Sequence, residues 1–182
     1  MLKKNPQGDY PQIDTSTHID HTAVIIGKVK IGKNVFVGPG AVIRADESGS
    51  SITIKDNCNV QDRVIIHALE DTSVLIEENT SLTHGCIIHG SCKIGKNCFV
   101  GFGSVVFNAE VGDGVCIKHL AVVEGANIIS GRLIESRHLV NCEDDARELR
   151  CTDKKEREFM EKVIKINLDL VKGYKHGGNE HG

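Results

Sequence analysis

Aliphatic residues recur every six positions through most of the chain: Ile25, Ile31, Val37 and Ile43; Ile54, Val60 and Ile66; Ile76, Leu82, Ile88, Ile94, Val100 and Val106; Val111, Ile117, Val123 and Ile129. A period of six matches neither the 3.6 of an α-helix nor the alternation of a strand in a flat sheet. Glycine or a small polar residue often follows the aliphatic one, as in "IGKNVFVG" and "KIGKNCFVG", which suits a turn at each corner. The pattern predicts an all-β fold, a parallel β-helix of hexapeptide repeats. Each hexad forms one side of a triangular prism and three hexads form one coil. Coils stack at about the 4.7–4.9 Å strand spacing, so these hexads predict five to six coils.

Cys58, Cys86, Cys92 and Cys98 each sit two residues before the aliphatic position, where the repeat needs a small inward side chain. Consecutive hexads lie on different sides of the prism, so this spacing reads as core packing rather than a metal cluster. The period stops near residue 132. "TDKKEREFMEKVIKINLDLVKGY" then predicts a C-terminal α-helix, capped by Asp153 with Glu156 and closed at Gly173. Its stripe of Phe159, Val163, Ile166, Leu170 and Tyr174 is expected to pack along the prism. The expected organisation is an N-terminal segment 1–20, a β-helix 21–132, a connection 133–151, a helix 152–174 and a frayed tail 175–182.

Composition narrows the function classes. A net charge of −3, no Trp and 4% aromatic residues provide no basic, stacking-rich surface, so no nucleic-acid partner is expected. No apolar run has the length of a membrane span and the N-terminus lacks a signal-peptide core, so no membrane partner and a cytoplasmic location are expected. The seven cysteines are then expected as reduced thiols.

The histidines gain meaning only from the repeat. Between Ile66 and Ile76 the step is ten, so "HALEDTSV" carries a bulge at a corner. Counting hexads through it places Ile88 on the same side as Ile66, one coil on. His67 and His89, each one residue past its aliphatic position, become stacked neighbours, whereas His84 belongs to a different side. Two histidines are one short of the three ligands usual for catalytic zinc. In a homotrimer, a neighbouring chain's His84 could supply the third at each interface. His18, His21, His119, His138, His176 and His181 lack such registration and read as surface or corner residues.

The segments "VIRADE", "NVQDRVIIHALE", "SLTHGCIIHG" and "NCFVGFGSVVFNAEVGDG", with "INLDLVKGY" in the helix, resemble the γ-class carbonic anhydrases and the related domain of carboxysomal shell proteins. The resemblance implies a left-handed β-helix, a homotrimer with metal sites at its interfaces, and reversible hydration of CO2 to bicarbonate. It implies His67, His84 and His89 as metal ligands, with Zn2+ as cofactor or Fe2+ or Co2+ on the same imidazoles. Gln61 matches the residue that bonds the metal-bound hydroxide, and Asn167 one that orients CO2 or bicarbonate. Glu47 and Glu70 match proton-transfer glutamates, while Arg44, Asp46 and Asp62 match a charged interface group. The chain departs from the archaeal prototype in lacking its long acidic insertion after "HALE", and in having Ser130 where relatives commonly carry proline.

Three alternatives remain open: a γ-class-like metal-dependent thioesterase, a coenzyme A-dependent hexapeptide acyltransferase, and a catalytically silent scaffold. The acyltransferase needs one catalytic histidine and no metal set, so metal content separates it from the first reading. An intact ligand set argues against the scaffold.

Overall fold

The computed structural model describes residues 1–177 and contains 22 short strands and two helices, α1 (Glu143–Glu148) and α2 (Lys154–Gly177). The strands form three parallel sheets of eight, seven and seven, which are the sides of a triangular prism of about seven coils. The chain is thus a parallel β-helix of hexapeptide repeats with a C-terminal α-helix. The first sheet carries Ile25, Ile43, Ile66, Ile88, Val106, Val123 and Val140 inward, and the other two carry equivalent columns. Each inward residue lies in register with its counterpart one coil away, so the core is a set of aliphatic ladders filled at its corners by buried cysteines and alanines.

Burial drives the thiols of Cys58, Cys86 and Cys98 up to about 12, as inert core residues require. The corners are tight turns through the left-handed region. Asn34, Asn57, Asn79 and Asn97 occupy it along one edge, and Asn34 and Asn57 each donate an amide hydrogen bond of 3.2 Å to the next asparagine.

The ladders extend beyond the interval 21–132 at both ends, from Leu2–Lys3 to Leu139–Val140. Ile13 and Ile19 continue the period of six backwards from Ile25, so the signal was present in a stretch otherwise poor in aliphatics. At the other end the step after Val123 is five. Ile128 pairs in register with Val111 and is 3% exposed, whereas Ile129 points outward at 58%. Ile134 and Val140 resume the period from there. Ala146 of α1 and Leu149 then cover the end of the core.

Helix α2 has 24 residues, about 36 Å at 1.5 Å per residue, which matches the roughly 33 Å of seven coils. It runs along the outside of the third sheet from the last coils back to the first. Asp153 and Glu156 form the expected reciprocal cap: the Asp153 N–H donates to Glu156 Oε2 at 2.7 Å and the Glu156 N–H to Asp153 Oδ1 at 3.0 Å. Gly173 does not end the helix, which continues through Lys175 to Gly177; residues 178–182 of the expected tail lie outside the described residues. The expected stripe lies against the prism along its edge: Val163 is half-buried beside Met160, Phe159 meets Phe99 edge-on at 5.3 Å and Tyr174 stacks on His18 at 4.4 Å, while Phe159, Ile166, Leu170 and Tyr174 stay partly exposed. The most deeply buried residues, Met160, Asn167 and Val171, lie one position round from it.

Two predictions follow from this register and from the anchoring of α2. Ile128→Ala should cost about 2–5 kcal/mol in urea unfolding at fixed protein concentration, and Ile129→Ala no more than about 0.5 kcal/mol. A larger effect at Ile129 would contradict the register. The Glu156 carboxylate accepts from Arg150 and lies 3.6 Å from Lys118, which holds its pKa down to about 2. A depressed carboxylate stabilises fully above the ordinary glutamate range and loses that contribution as pH falls through about 2. Glu156→Gln should therefore be less stable than wild type at pH 5–7, with the gap closing toward about pH 2. A gap independent of pH would exclude the ionic contribution.

Candidate metal centre

The first sheet holds two histidines because two of its strands, Ile65–His67 and Ile87–His89, end in the same phase. His67 pairs in register with His89 on one side and with Arg44 on the other. Their imidazoles meet edge to face, with His67 Nδ1 3.1 Å from His89 Nε2. Arg44 Nη2 lies 3.4 Å from the same His67 nitrogen and its Nη1 bonds Asp46 at 3.3 Å.

His67 is 6% exposed. Burial, with help from Arg44 and His89, lowers its pKa against the opposing pull of Glu47 and Asp46, which favours the neutral imidazole that a metal requires. Its Nε2 is buried without a hydrogen-bond partner, although Glu47 Oε1 lies 3.3 Å away and Asp46 Oδ1 3.6 Å away out of alignment. The 3.1 Å between His67 Nδ1 and His89 Nε2 compares with about 3.3 Å between neighbouring ligands of a tetrahedral zinc with bonds of about 2.0–2.1 Å, so these two nitrogens are spaced to share one borderline cation, whereas the orphaned His67 Nε2 lies on the other edge of its ring toward Glu47.

Two corner loops, residues 46–50 and 68–72, lie beside this pair. Their backbones bond, Asp71 N–H to Ser48 O at 2.9 Å, and the Glu70 N–H donates to Glu47 Oε2 at 2.7 Å. Gly49 adopts φ +67° beneath Asp71, where a Cβ would collide with that side chain. Glu47 is thereby held with its other oxygen toward His67. Glu70 is exposed and meets the site through its backbone.

His84 stands elsewhere, on the corner between the third and first sheets, exposed, with Nδ1 3.3 Å from Asp62 Oδ2. Asp62 thus pairs with His84, while Arg44 and Asp46 pair beside His67. Among the described residues of one chain, no three His, Cys, Asp or Glu side chains gather into a metal-binding group.

Gln61 and Asn167 converge on a groove of about 580 Å³ between α2 and the prism, which His84 also lines. The outward residues of the third sheet explain its polarity. His18, Phe36, Asn59, Ser81, Phe99, Cys116 and Leu133 form one column, apolar toward both ends and polar in the middle. Phe99, Cys116 and Leu133 pack with Met160, while Tyr174 stacks on His18 at 4.4 Å. Between these clamps Gln61 Nε2 donates to Asn59 Oδ1 at 2.9 Å and Asn59 Nδ2 to Ser81 Oγ at 2.8 Å. The Gln61 carbonyl is left as the free end of the chain. Asn167, 7% exposed, donates to Val163 O at 2.9 Å from its own helix. Asn59 and Ser81 were passed over in the sequence; their signal is that each immediately precedes an inward aliphatic residue on adjacent coils.

Known proteins share this architecture. The chain matches the bacterial transferase hexapeptide family (six repeats) at residues 10–45 and 73–108. It is 34% identical to the carbonic anhydrase of Methanosarcina thermophila over 192 residues, covering 94% of this chain and 77% of that protein. It is 38% identical over 173 residues to the carboxysome assembly protein CcmM of Nostoc, covering 90% of this chain but 31% of that protein, so it spans about a third of that relative's length. A hexapeptide transferase family protein of Anaplasma phagocytophilum has the same fold, with a TM-score of 0.81, 27% identity and coverage of 96% and 98% of the two chains. Repeat, fold and near full-length similarity agree: the chain belongs to the γ-class carbonic anhydrase family of hexapeptide-repeat proteins.

Proposed function

We propose that the protein is a γ-class carbonic anhydrase, hydrating CO2 reversibly to bicarbonate and a proton at metal sites shared between the chains of a homotrimer. The observation that carries the reading is the in-register pair His67 and His89, with His67 Nδ1 and His89 Nε2 3.1 Å apart. These two residues and His84 of a neighbouring chain would hold the cation, Zn2+ first, with Co2+ and Fe2+ compatible with three imidazoles. When bound, such a cation lowers the pKa of water from about 15.7 to near 7, making a nucleophile available at neutral pH.

The chain's own residues would do the rest. With Nε2 committed to Asn59, Gln61 presents its carbonyl as acceptor and orients the reacting water through its proton. Asn167, tethered to Val163, would orient CO2 or bicarbonate in the same groove. Glu47, fixed by the Glu70 amide, would take a proton at Oε1 and pass it to buffer, a part that Glu70 can share only from the exposed side of the loop.

Two apolar surfaces support the shared site. On the first sheet Val24, Val42, Ile65, Ile87, Val105, Val122 and Leu139 form an outward ladder, strand after strand, beside His67 and His89. Phe102, Phe159, Ile166, Leu170 and Tyr174 are exposed around the groove that holds His84. Different surfaces that complement each other head to tail close into a ring, and a triangular prism suits threefold closure. A second reading is acyl transfer or thioester hydrolysis in the same groove, whose lining is mostly apolar. Loss of CO2 hydration with retention of thioester turnover would favour it.

His84→Ala and His67→Ala should each be inactive, because every interface in either homotrimer lacks a ligand. Unfolded together in equal amounts and refolded, they should regain metal and CO2 hydration at about a quarter of the sites, the chance that an intact pair meets an intact His84. An inactive mixture containing confirmed mixed trimers would place the site within one chain. Gln61→Ala should lower hydration turnover about tenfold or more while metal content, measured by mass spectrometry, stays near wild type. Metal loss equal to that of His67→Ala would show that Gln61 holds the site together rather than orienting water.

A further inference from the structure

We propose that His119 is a positioning residue for the third metal ligand, holding the ring of Phe102 against the imidazole of His84; this rests on the reading of His84 as a ligand. The corner between the third and first sheets presents one outward side chain per coil, and Asp62, His84, Phe102 and His119 form consecutive steps of that column. Gly85, Gly103 and Leu120 follow the last three at positive φ, so the turns aim the side chains outward in the same way. His84 is held on two sides. Asp62 Oδ2 lies 3.3 Å from its Nδ1 on the preceding coil, which favours the tautomer that leaves Nε2 for a ligand bond. Phe102 lies on the following coil, its ring centroid 5.2 Å from that of His84.

In the single chain Phe102 is 44% exposed, so before a neighbour covers it the ring needs support from its own chain to keep one rotamer. His119 supplies it twice. The rings stack at 4.3 Å and 22°, and the Phe102 N–H donates to His119 Nδ1 at 3.1 Å, so the same imidazole fixes both ring and backbone. His119 is in turn set edge-on to Phe99 at 6.3 Å, and Phe99 is 2% exposed and packed with Met160 beneath α2. A continuous run of rings thus connects the helix-covered core to His84. A ligand offered across an interface has no partner ligand on its own chain to orient it, so its direction depends on what flanks it, and residues behind metal ligands typically change affinity by about 10–100-fold.

The test uses the assembled protein loaded with Co2+, with affinity read by chelator competition and geometry by visible absorption. His119→Leu and Phe102→Ala should each weaken Co2+ binding by about tenfold. His119→Asn, whose side-chain oxygen can accept the Phe102 N–H but which has no ring to stack, should recover only part of that loss. In metal-free protein the His84 ring protons should lose their Phe102 ring-current shift in Phe102→Ala and move in the same direction in His119→Leu. Affinity within about twofold of wild type in His119→Leu, with unmoved His84 resonances, would overturn the proposal even if the melting temperature fell. His84→Ala separates the two levels: if it empties the site while His119→Leu does not, only the positioning role fails, and if it keeps wild-type affinity, the ligand reading fails and the proposal with it. Should His119→Leu fail to assemble, Phe102→Leu, which keeps bulk without a ring, carries the same comparison.

Discussion

The structure depends on one constraint: every third hexad must return an aliphatic side chain to the same column, one strand spacing from the last. Ile43, Ile66, Ile88 and Val106 show it, each completely buried and each in register with the next. The ladder leaves no freedom to slip, because a shift of one residue would turn the inward column out to water. Extra residues are therefore expelled to the corners. The loops around Glu47 and Glu70 are such expulsions, and they sit one coil apart because the hexads that flank them do.

The same stacking turns sequence phase into neighbourhood on the outside of the prism. Outward residues on adjacent coils lie about one strand spacing apart, close enough for imidazole to meet imidazole at His67 and His89, or amide to meet hydroxyl at Asn59 and Ser81. Helix α2 adds the second layer. It buries the apolar ends of the third sheet's outward column and covers its polar middle, where an unpartnered amide would cost free energy. Asn59, Ser81, Gln61 and Asn167 avoid that cost through hydrogen bonds to one another or to backbone. The result is a polar window framed by two apolar clamps.

This arrangement divides the chemistry of one chain between two surfaces. The first sheet carries two imidazoles beside an aliphatic ladder, and the corner near α2 carries the third imidazole beside exposed aromatics. Each surface leaves apolar area unburied, and on the proposed reading each would also be short of a full ligand set. Association that covers the one would complete the other, so assembly and metal binding would be thermodynamically linked.

Much of this was legible in the sequence, because a solenoid makes local periodicity and tertiary position nearly the same thing. The period of six determined the fold class, the inward cysteines, and the placement of His67 and His89 on one side of successive coils. It also separated His84 from them. Two stretches were misread: the five-residue step after Val123 put Ile128 inside and Ile129 outside, and the scarcity of aliphatics before Ile25 hid Ile13 and Ile19 although they keep the period. What only the tertiary structure decided is everything that depends on a second element meeting the prism. The apolar stripe of α2 meets the third sheet only along its edge, and the residues one position round from it, Met160, Asn167 and Val171, are the buried ones, which the stripe alone did not indicate. The stacking of His119 on Phe102 was equally unreadable, since a corner side chain's direction is set by turn geometry and by rings from neighbouring coils rather than by its own hexad.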